Sequence, residues 1–187
     1  MNDTGREYAG RINKAARYMD ALLGDLLAFS RISQERVELT AVSLEIVVEP
    51  VVGRLQKEIS EKNARVARAG PWPAVLAHEA TLAQVLFNLL SNALKFVRHD
   101  VLPVVMVRTE DRAEFIRIWV EDNGIGIAAQ YHAQIFGLFT RLHGGTYPGT
   151  GIGLAIVQKG IERMGGRMGL ESTPGQGSRF WFELKRA

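Results

Sequence analysis

Gly149-Thr150-Gly151-Ile152-Gly153-Leu154-Ala155-Ile156-Val157 sets three alternate glycines directly before an apolar helical stretch. Glycine leaves its backbone N–H groups uncovered, and N–H groups gathered at a helix N-terminus attract anions, phosphate above all. A dinucleotide-binding reading fails here. Ile156 stands where the third glycine of G-x-G-x-x-G belongs, and no strand precedes the loop. A P-loop is absent too, because the chain contains no Gly-Lys-Ser/Thr. Just upstream, residues 141–148 include His143, Gly144, Gly145 and Thr146 and have little to bury, so they read as a mobile lid.

A second informative stretch is the helix expected over residues 80–98. At helical spacing Thr81, Gln84, Asn88, Ser91, Asn92 and Lys95 share one narrow arc, and leucines, valines and Phe96 fill the rest. An amphipathic helix with its polar side in water would explain the arc. Asn, however, is a poor residue inside a helix, costing roughly 0.5 kcal/mol against Ala, and Glu, Lys or Gln would serve a solvated stripe better. Two amide oxygens at i and i+4 suit a hard cation such as Mg²⁺, and the ammonium one turn on suits phosphate. Asp122-Asn123-Gly124-Ile125-Gly126-Ile127 follows the apolar strand 116–120. A half-buried carboxylate there needs donors, and the exocyclic amine of a purine is one; Gly124 and Gly126 would let a flat ring approach. Taken alone the segment is equally good turn chemistry. Pro174, Gly175 and Gly177 read as a tight turn between the last two strands.

The 187 residues suit one ordinary domain with a short appendage. With no Cys, disulfides and thiolate metal sites are excluded. No apolar run approaches the ~20 residues that span a bilayer, and the polar start lacks a signal-peptide core, so no membrane contact is expected. The net charge of +3 comes from scattered Lys and Arg, which argues against nucleic acid. Residues 6–34 form one long helix by periodicity, which must pack either on another helix in a bundle or dimer or back onto its own domain. Val37-Glu38-Leu39 reads as a short strand. Ser43 is placed to cap a helix running to about residue 61 despite Pro50. Further strands are expected near Val66, over 74–76, 104–109, 115–121, 168–172 and 179–184, with a turn at Asp111-Arg112. Shorter helices are expected over 130–136 and from the glycine loop to Met164. The class is α+β, with helices on one face of a mixed sheet.

In this order the segments resemble the ATP-binding domain of sensor histidine kinases, within the wider family of gyrase-type and chaperone-type ATPases. Asn88-Leu89-Leu90-Ser91-Asn92-Ala93-Leu94-Lys95-Phe96 looks like that family's N box. Asp122 to Gly126 looks like its G1 box, Phe136-Gly137-Leu138-Phe139 its F box, Gly149 to Gly153 its G2 box, and Gly175-Gln176-Gly177 its final glycine box. The resemblance implies a two-layer α/β sandwich, the Bergerat fold, with a mixed sheet facing three main helices plus the long N-terminal helix. It implies ATP and Mg²⁺ as ligands. Asn92 would ligate Mg²⁺ with help from Asn88, Lys95 would contact phosphate, and Phe96 would sit beside the nucleoside. Asp122 would accept from the adenine amine, with Gly124, Gly126 and Ile127 around the ring. Thr150, Gly151, Ile152, Gly153 and Leu154 would line the phosphate end. Phe136, Phe139, Arg141 and His143 would belong to a lid similar to that of phytochrome-type kinases. Hydrolytic members carry Glu at position 88 as general base for water; Asn88 cannot take that proton, as a kinase for an imidazole acceptor requires. Gly137-Leu138 replaces the usual Glu-Pro of the F box, and His78 stands where an acidic residue is common.

The stretch from Met19 to Arg31 resembles the second helix of the family's dimerisation bundle, giving a division into 1–35 and 36–187. The first helix, with its phosphoacceptor His, is missing from the chain. His78-Glu79-Ala80-Thr81-Leu82 imitates that motif but lacks its Pro, and Leu82 also rules out the zinc motif H-E-x-x-H. His99 and His132 read as surface residues. The implied activity is transfer of the ATP γ-phosphate to a histidine, for relay to a response regulator receiver domain, in a homodimeric cytoplasmic protein. An ATP-hydrolysing conformational machine and a non-catalytic nucleotide-binding module are the alternatives.

Overall fold

The computed structural model describes residues 3–34, 37–142 and 146–187. A long helix α1 (Asp3–Gln34) comes first, then β1 (Thr40–Ser43), α2 (Leu44–Arg54), α3 (Gln56–Glu61), β2 (Arg65–Ala69) and β3 (Ala74–Ala77). The N-box helix is α4 (Glu79–Lys95), followed by β4 (Val104–Arg112) and β5 (Phe115–Asp122). A short 3₁₀ turn (Ala129–Tyr131) leads to α5 (Gly153–Arg163), β6 (Arg167–Ser172) and β7 (Ser178–Lys185). Five strands form a mixed sheet in the order β2-β4-β5-β7-β6, with only β2 and β4 parallel. β1 and β3 pair separately.

Alternation along the strands builds the two layers. Val105, Val107, Ile116, Ile118, Val120, Phe180, Phe182 and Leu184 face inward and are buried against α2, α4 and α5. The other face carries charge and aromatic rings. Arg117 pairs with Glu183 at 2.6 Å and lies 4.0 Å over the Trp181 ring, while Arg108 pairs with Glu121 at 2.7 Å. α4 and α5 approach closely at Gly160, where a Cβ would come within 2.8 Å of Val85 Cγ2. Among the described residues no helix is long and apolar enough to cross a membrane.

Several sequence-based boundaries move. Residues 37–39 are not a strand; pairing begins at Thr40 because Val42 is the residue buried in register opposite Val75. Ser43 precedes α2 with an extended backbone but makes no side-chain capping bond. Pro50 stays inside α2 on its exposed side, where water can reach the carbonyl it leaves unbonded. The expected continuous helix breaks five residues later instead, at buried Leu55, whose N–H tightens onto Val52 O. The β4–β5 turn is Ala113-Glu114 rather than Asp111-Arg112: Ala113 adopts φ 60 and its N–H bonds Asp111 Oδ1. The helix expected over 130–136 is only the short 3₁₀ turn, and α4 ends at Lys95 rather than at residue 98.

Of the two fates expected for the long helix, the structure shows one, packing back onto its own domain. Leu22, Ala28, Phe29 and Ile32 pack on Ile152 and Ile156, folding its C-terminal third onto α5. Tyr8, Ile12, Met19, Leu23, Leu26 and Leu27 remain exposed on its other sides.

Candidate functional site

Between α4 and the start of α5 lies a cavity of about 260 Å³. That is near the lower end of the range for small-molecule sites, about 300–1,000 Å³. One wall is the polar arc of α4, with Asn88, Ser91, Asn92 and Lys95, continued by Phe96. Gly149, Thr150, Gly151, Gly153 and Leu154 form the opposite wall. Asp122, Gly126 and Ile127 close the far end with Ile125, Ser178 and Phe180. Arg141, Leu142, Tyr147 and Pro148 roof it, and Ala21 and Asp25 of α1 stand at the mouth.

The loop glycines are there to be approached. Gly151 has φ 80, and a Cβ on it would lie 2.7 Å from the Phe139 carbonyl carbon. A Cβ on Gly149 would lie 3.1 Å from Lys95 Nζ, and one on Gly153 would lie 3.6 Å from Asn88 Oδ1. Asn88 is 8% exposed and its Nδ2 has no hydrogen-bond partner among the described residues. Such a group is expensive unless a ligand engages it. Lys95 Nζ donates to Asn92 Oδ1 at 3.0 Å and lies 4.3 Å from the Phe96 ring centroid. Burial pushes the Lys95 ammonium down to about 8, with Glu58 and Asp25 opposing the shift and Lys62 and Arg141 adding to it.

At the far end Asp122 Oδ1 accepts the N–H groups of Gly124 (2.8 Å) and Ser178 (3.1 Å). Burial nevertheless outweighs these two bonds and raises the carboxyl to about 6. Both bonds fall on Oδ1, which leaves Oδ2 to accept from a ligand. The support comes from the last turn. A Cβ on Gly177 would overlap Asp122 O, one on Gly126 would overlap Thr173 O, and Gly175 N–H bonds Ile125 O at 2.8 Å. Ser172 Oγ accepts from Ile127 N–H and donates to Gly177 O, both at 2.8 Å.

Thus Asn88, Asn92, Lys95, Phe96, Asp122, Gly126, Ile127, Arg141, Thr150, Gly151, Gly153 and Leu154 converge on one cavity. Gly124, Phe136, Phe139 and Ile152 lie off its walls. Gly124 has no room for a Cβ against Phe96 O, Phe136 is half-buried, and Ile152 is fully buried against α1 and α5. Phe139 is exposed, with φ 62, and lends its backbone to Gly151. His143 lies outside the described residues. Sequence reasoning missed Ile125, Tyr147, Ser178, Phe180 and Asp25. Phe180 was recoverable from strand alternation, since it pairs with Val120. Tyr147 sat in the lid stretch as its one aromatic residue and packs 5.3 Å from Phe96, centroid to centroid. Asp25 carried no local signal.

The chain is similar to several known proteins. Phytochrome-like protein Cph1 of Synechocystis sp. is 39% identical over 170 residues, 89% of this chain and 22% of its own length. Sensor histidine kinase AruS of Pseudomonas aeruginosa is 35% identical over 202 residues, 100% of this chain and 20% of its own. The chain therefore spans about a fifth of the length of these curated relatives. Full-length ShkA in complex with AMPPNP superposes with a TM-score of 0.79 at 30% identity, covering 100% of this chain and 40% of that one. Residues 77–187, which hold the arc of α4, the Asp122 end and the glycine loop, match one family throughout, and the chain belongs to it: the histidine kinase-, DNA gyrase B-, and HSP90-like ATPases.

Proposed function

We propose that residues 36–187 are the ATP-binding catalytic domain of a two-component sensor histidine kinase, and that residues 1–35 are the second helix of its dimerisation and phosphoacceptor domain. The carrying observation is the cavity itself, in which an arc of amides and an ammonium faces a glycine loop across a space fit for a polyphosphate. The AMPPNP held by ShkA supports the nucleotide, and the exposed stripe of α1 is the face a bundle partner would cover. The partners are accordingly a second copy of the protein, its phosphoacceptor helix and a response regulator receiver domain.

The donor set fits magnesium held jointly with phosphate. The amide oxygens of Asn88 and Asn92 on the cavity wall would supply the protein ligands, as suits a hard cation. Asn92 Oδ1 would turn from Lys95 to the cation, and Asn88 Oδ1, which already faces the glycine loop, would assist. Magnesium neutralises charge on the β- and γ-phosphates. Lys95 Nζ, released from Asn92, would hold a phosphate oxygen, and Asp122 Oδ2 would accept the adenine amine. The acceptor imidazole nitrogen forms the new P–N bond as the γ-phosphorus leaves the bridging oxygen of ADP. No carboxylate stands at position 88 to deprotonate water, which disfavours the hydrolytic reading. Adding Mg·ATP and a separate phosphoacceptor domain should yield phosphohistidine with little steady-state release of phosphate. Sustained hydrolysis without phosphohistidine would refute the kinase assignment.

The burial of Asp122 and of Lys95 makes binding depend on pH in two separate ranges. Protonation of Asp122 goes to Oδ2, because Oδ1 is engaged, and turns the adenine acceptor into a donor. Adenosine affinity should therefore fall as pH drops through about 6. Deprotonation of Lys95 removes a phosphate ligand, so Mg·ATP affinity should also fall as pH rises through about 8, and adenosine affinity should not. Calorimetry with both ligands from pH 5 to 9 checks the two limbs separately.

A further inference from the structure

The C-terminal third of α1 lies across the mouth of the cavity, and one of its side chains enters the chemistry there. Asp25 Oδ2 accepts the Thr150 hydroxyl at 2.5 Å. Thr150 is the buried, non-glycine centre of the glycine loop, and its Oγ1 in turn accepts Ile152 N–H at 3.3 Å, one residue before α5 begins. Asp25 also acts on Lys95, whose charged form it favours. A carboxylate is therefore bound to the glycine loop at the end of the cavity where a phosphate would find the same donors. That this end is built for a ligand has independent support in Asn88, whose Nδ2 is buried on the wall and without a partner among the described residues. Asp25 is not there by chance drift of a loose helix, since Leu22, Ala28, Phe29 and Ile32 seat α1 on Ile152 and Ile156.

We propose that Asp25 is a built-in competitor for the phosphate end of the cavity, so that nucleotide binding and docking of α1 on the loop 149–153 oppose each other. This rests on the nucleotide reading above. A phosphate entering beside Asp25 meets a like charge in a half-buried site and competes for the Thr150 hydroxyl and the Lys95 ammonium. By linkage, whatever docked α1 takes from nucleotide affinity, bound nucleotide takes from α1 docking. The long helix is thereby told whether the cavity is filled. The plainer alternative is that the Asp25–Thr150 bond merely ties α1 down, in which case removing the charge would leave nucleotide affinity alone.

The test uses the full 187-residue chain, with calorimetric titration of Mg·AMPPNP and of adenosine into wild type, Asp25→Asn and Asp25→Ala. Thermal melts by circular dichroism confirm that both variants are folded. Both should bind Mg·AMPPNP about 5-fold or more tighter than wild type, with adenosine, which lacks phosphate, bound equally by all three. The chain has no native Cys, so labels at Arg17→Cys and Gln158→Cys report the α1–α5 separation. Mg·AMPPNP should lengthen it and adenosine should not. Unchanged or weaker Mg·AMPPNP binding in both variants, or a separation that Mg·AMPPNP does not move, would overturn the proposal while leaving nucleotide binding standing. Absence of any Mg·AMPPNP binding, wild type included, would remove both.

Discussion

Asn92→Ala is expected to abolish magnesium-dependent nucleotide binding, lowering Mg·ATP affinity on the order of 100-fold. The Asn92 carboxamide is the one α4 amide whose oxygen is already held toward the cavity by a cation, Lys95 Nζ at 3.0 Å. The same oxygen is thus placed for a divalent ion once Lys95 turns to phosphate. Alanine removes that ligand and leaves the rest of the arc in place. Asn92→Asp should fail as well, because a full negative charge beside the phosphates also traps Lys95 in an ion pair. The signature is a difference measurement. Calorimetry with magnesium should show the large loss, and the same titration in chelator should show wild type and variant binding weakly and alike. Unchanged Mg·ATP affinity in Asn92→Ala would take Asn92 out of the site.

The second large effect is expected at the last turn, where Gly177→Ala should destabilise the domain by roughly 3 kcal/mol or more and weaken adenosine binding with it. Gly177 has φ 81, and a Cβ there would overlap the Asp122 carbonyl oxygen, which is backbone in the adjacent strand end and cannot swing away. Relief would require β5 and the turn to part, breaking the Ser178 N–H bond that helps hold Asp122. Gly175→Ala is the internal control. It sits two residues away in the same turn at φ 79, with nothing within 4 Å of a Cβ, so it should cost only the backbone strain, about 1 kcal/mol. Urea midpoints for the pair separate conformation from contact. Equal losses would mean that the close approach at Gly177 carries no weight.

What could be read from the chain alone, and what could not, follows from the range of the forces involved. The arc of α4 was legible because a helix lines up i, i+4 and i+7 by local geometry, so Asn88, Asn92 and Lys95 had to share a face whatever they packed against. The glycine loop was legible because alternate glycines before an apolar helix have few purposes. The final turn was recognised as a turn, but its role under Asp122 was not, since that depends on β7 lying beside β5 across 56 positions of sequence. The break at Leu55 escaped because Pro50 looked like the weak point, whereas tertiary burial of Leu55 decided where the helix ended. Ile152 was grouped with the ligand residues by adjacency, yet its side chain turns to α1. Asp25 was invisible because nothing local marks a residue whose partner, Thr150, is brought to it by the fold across 125 positions of sequence.

The most direct measurement replaces magnesium with Mn²⁺ and follows the NMR signals of the 187-residue chain bound to AMPPNP. A paramagnetic ion broadens the nuclei nearest to it, so the side-chain amides of Asn88 and Asn92 and the backbone amides of Gly151 and Gly153 should disappear first, while Ser172 and Gly177 at the adenine end persist. Broadening centred anywhere else, with those four signals left sharp, would contradict a metal-bridged triphosphate between α4 and the glycine loop.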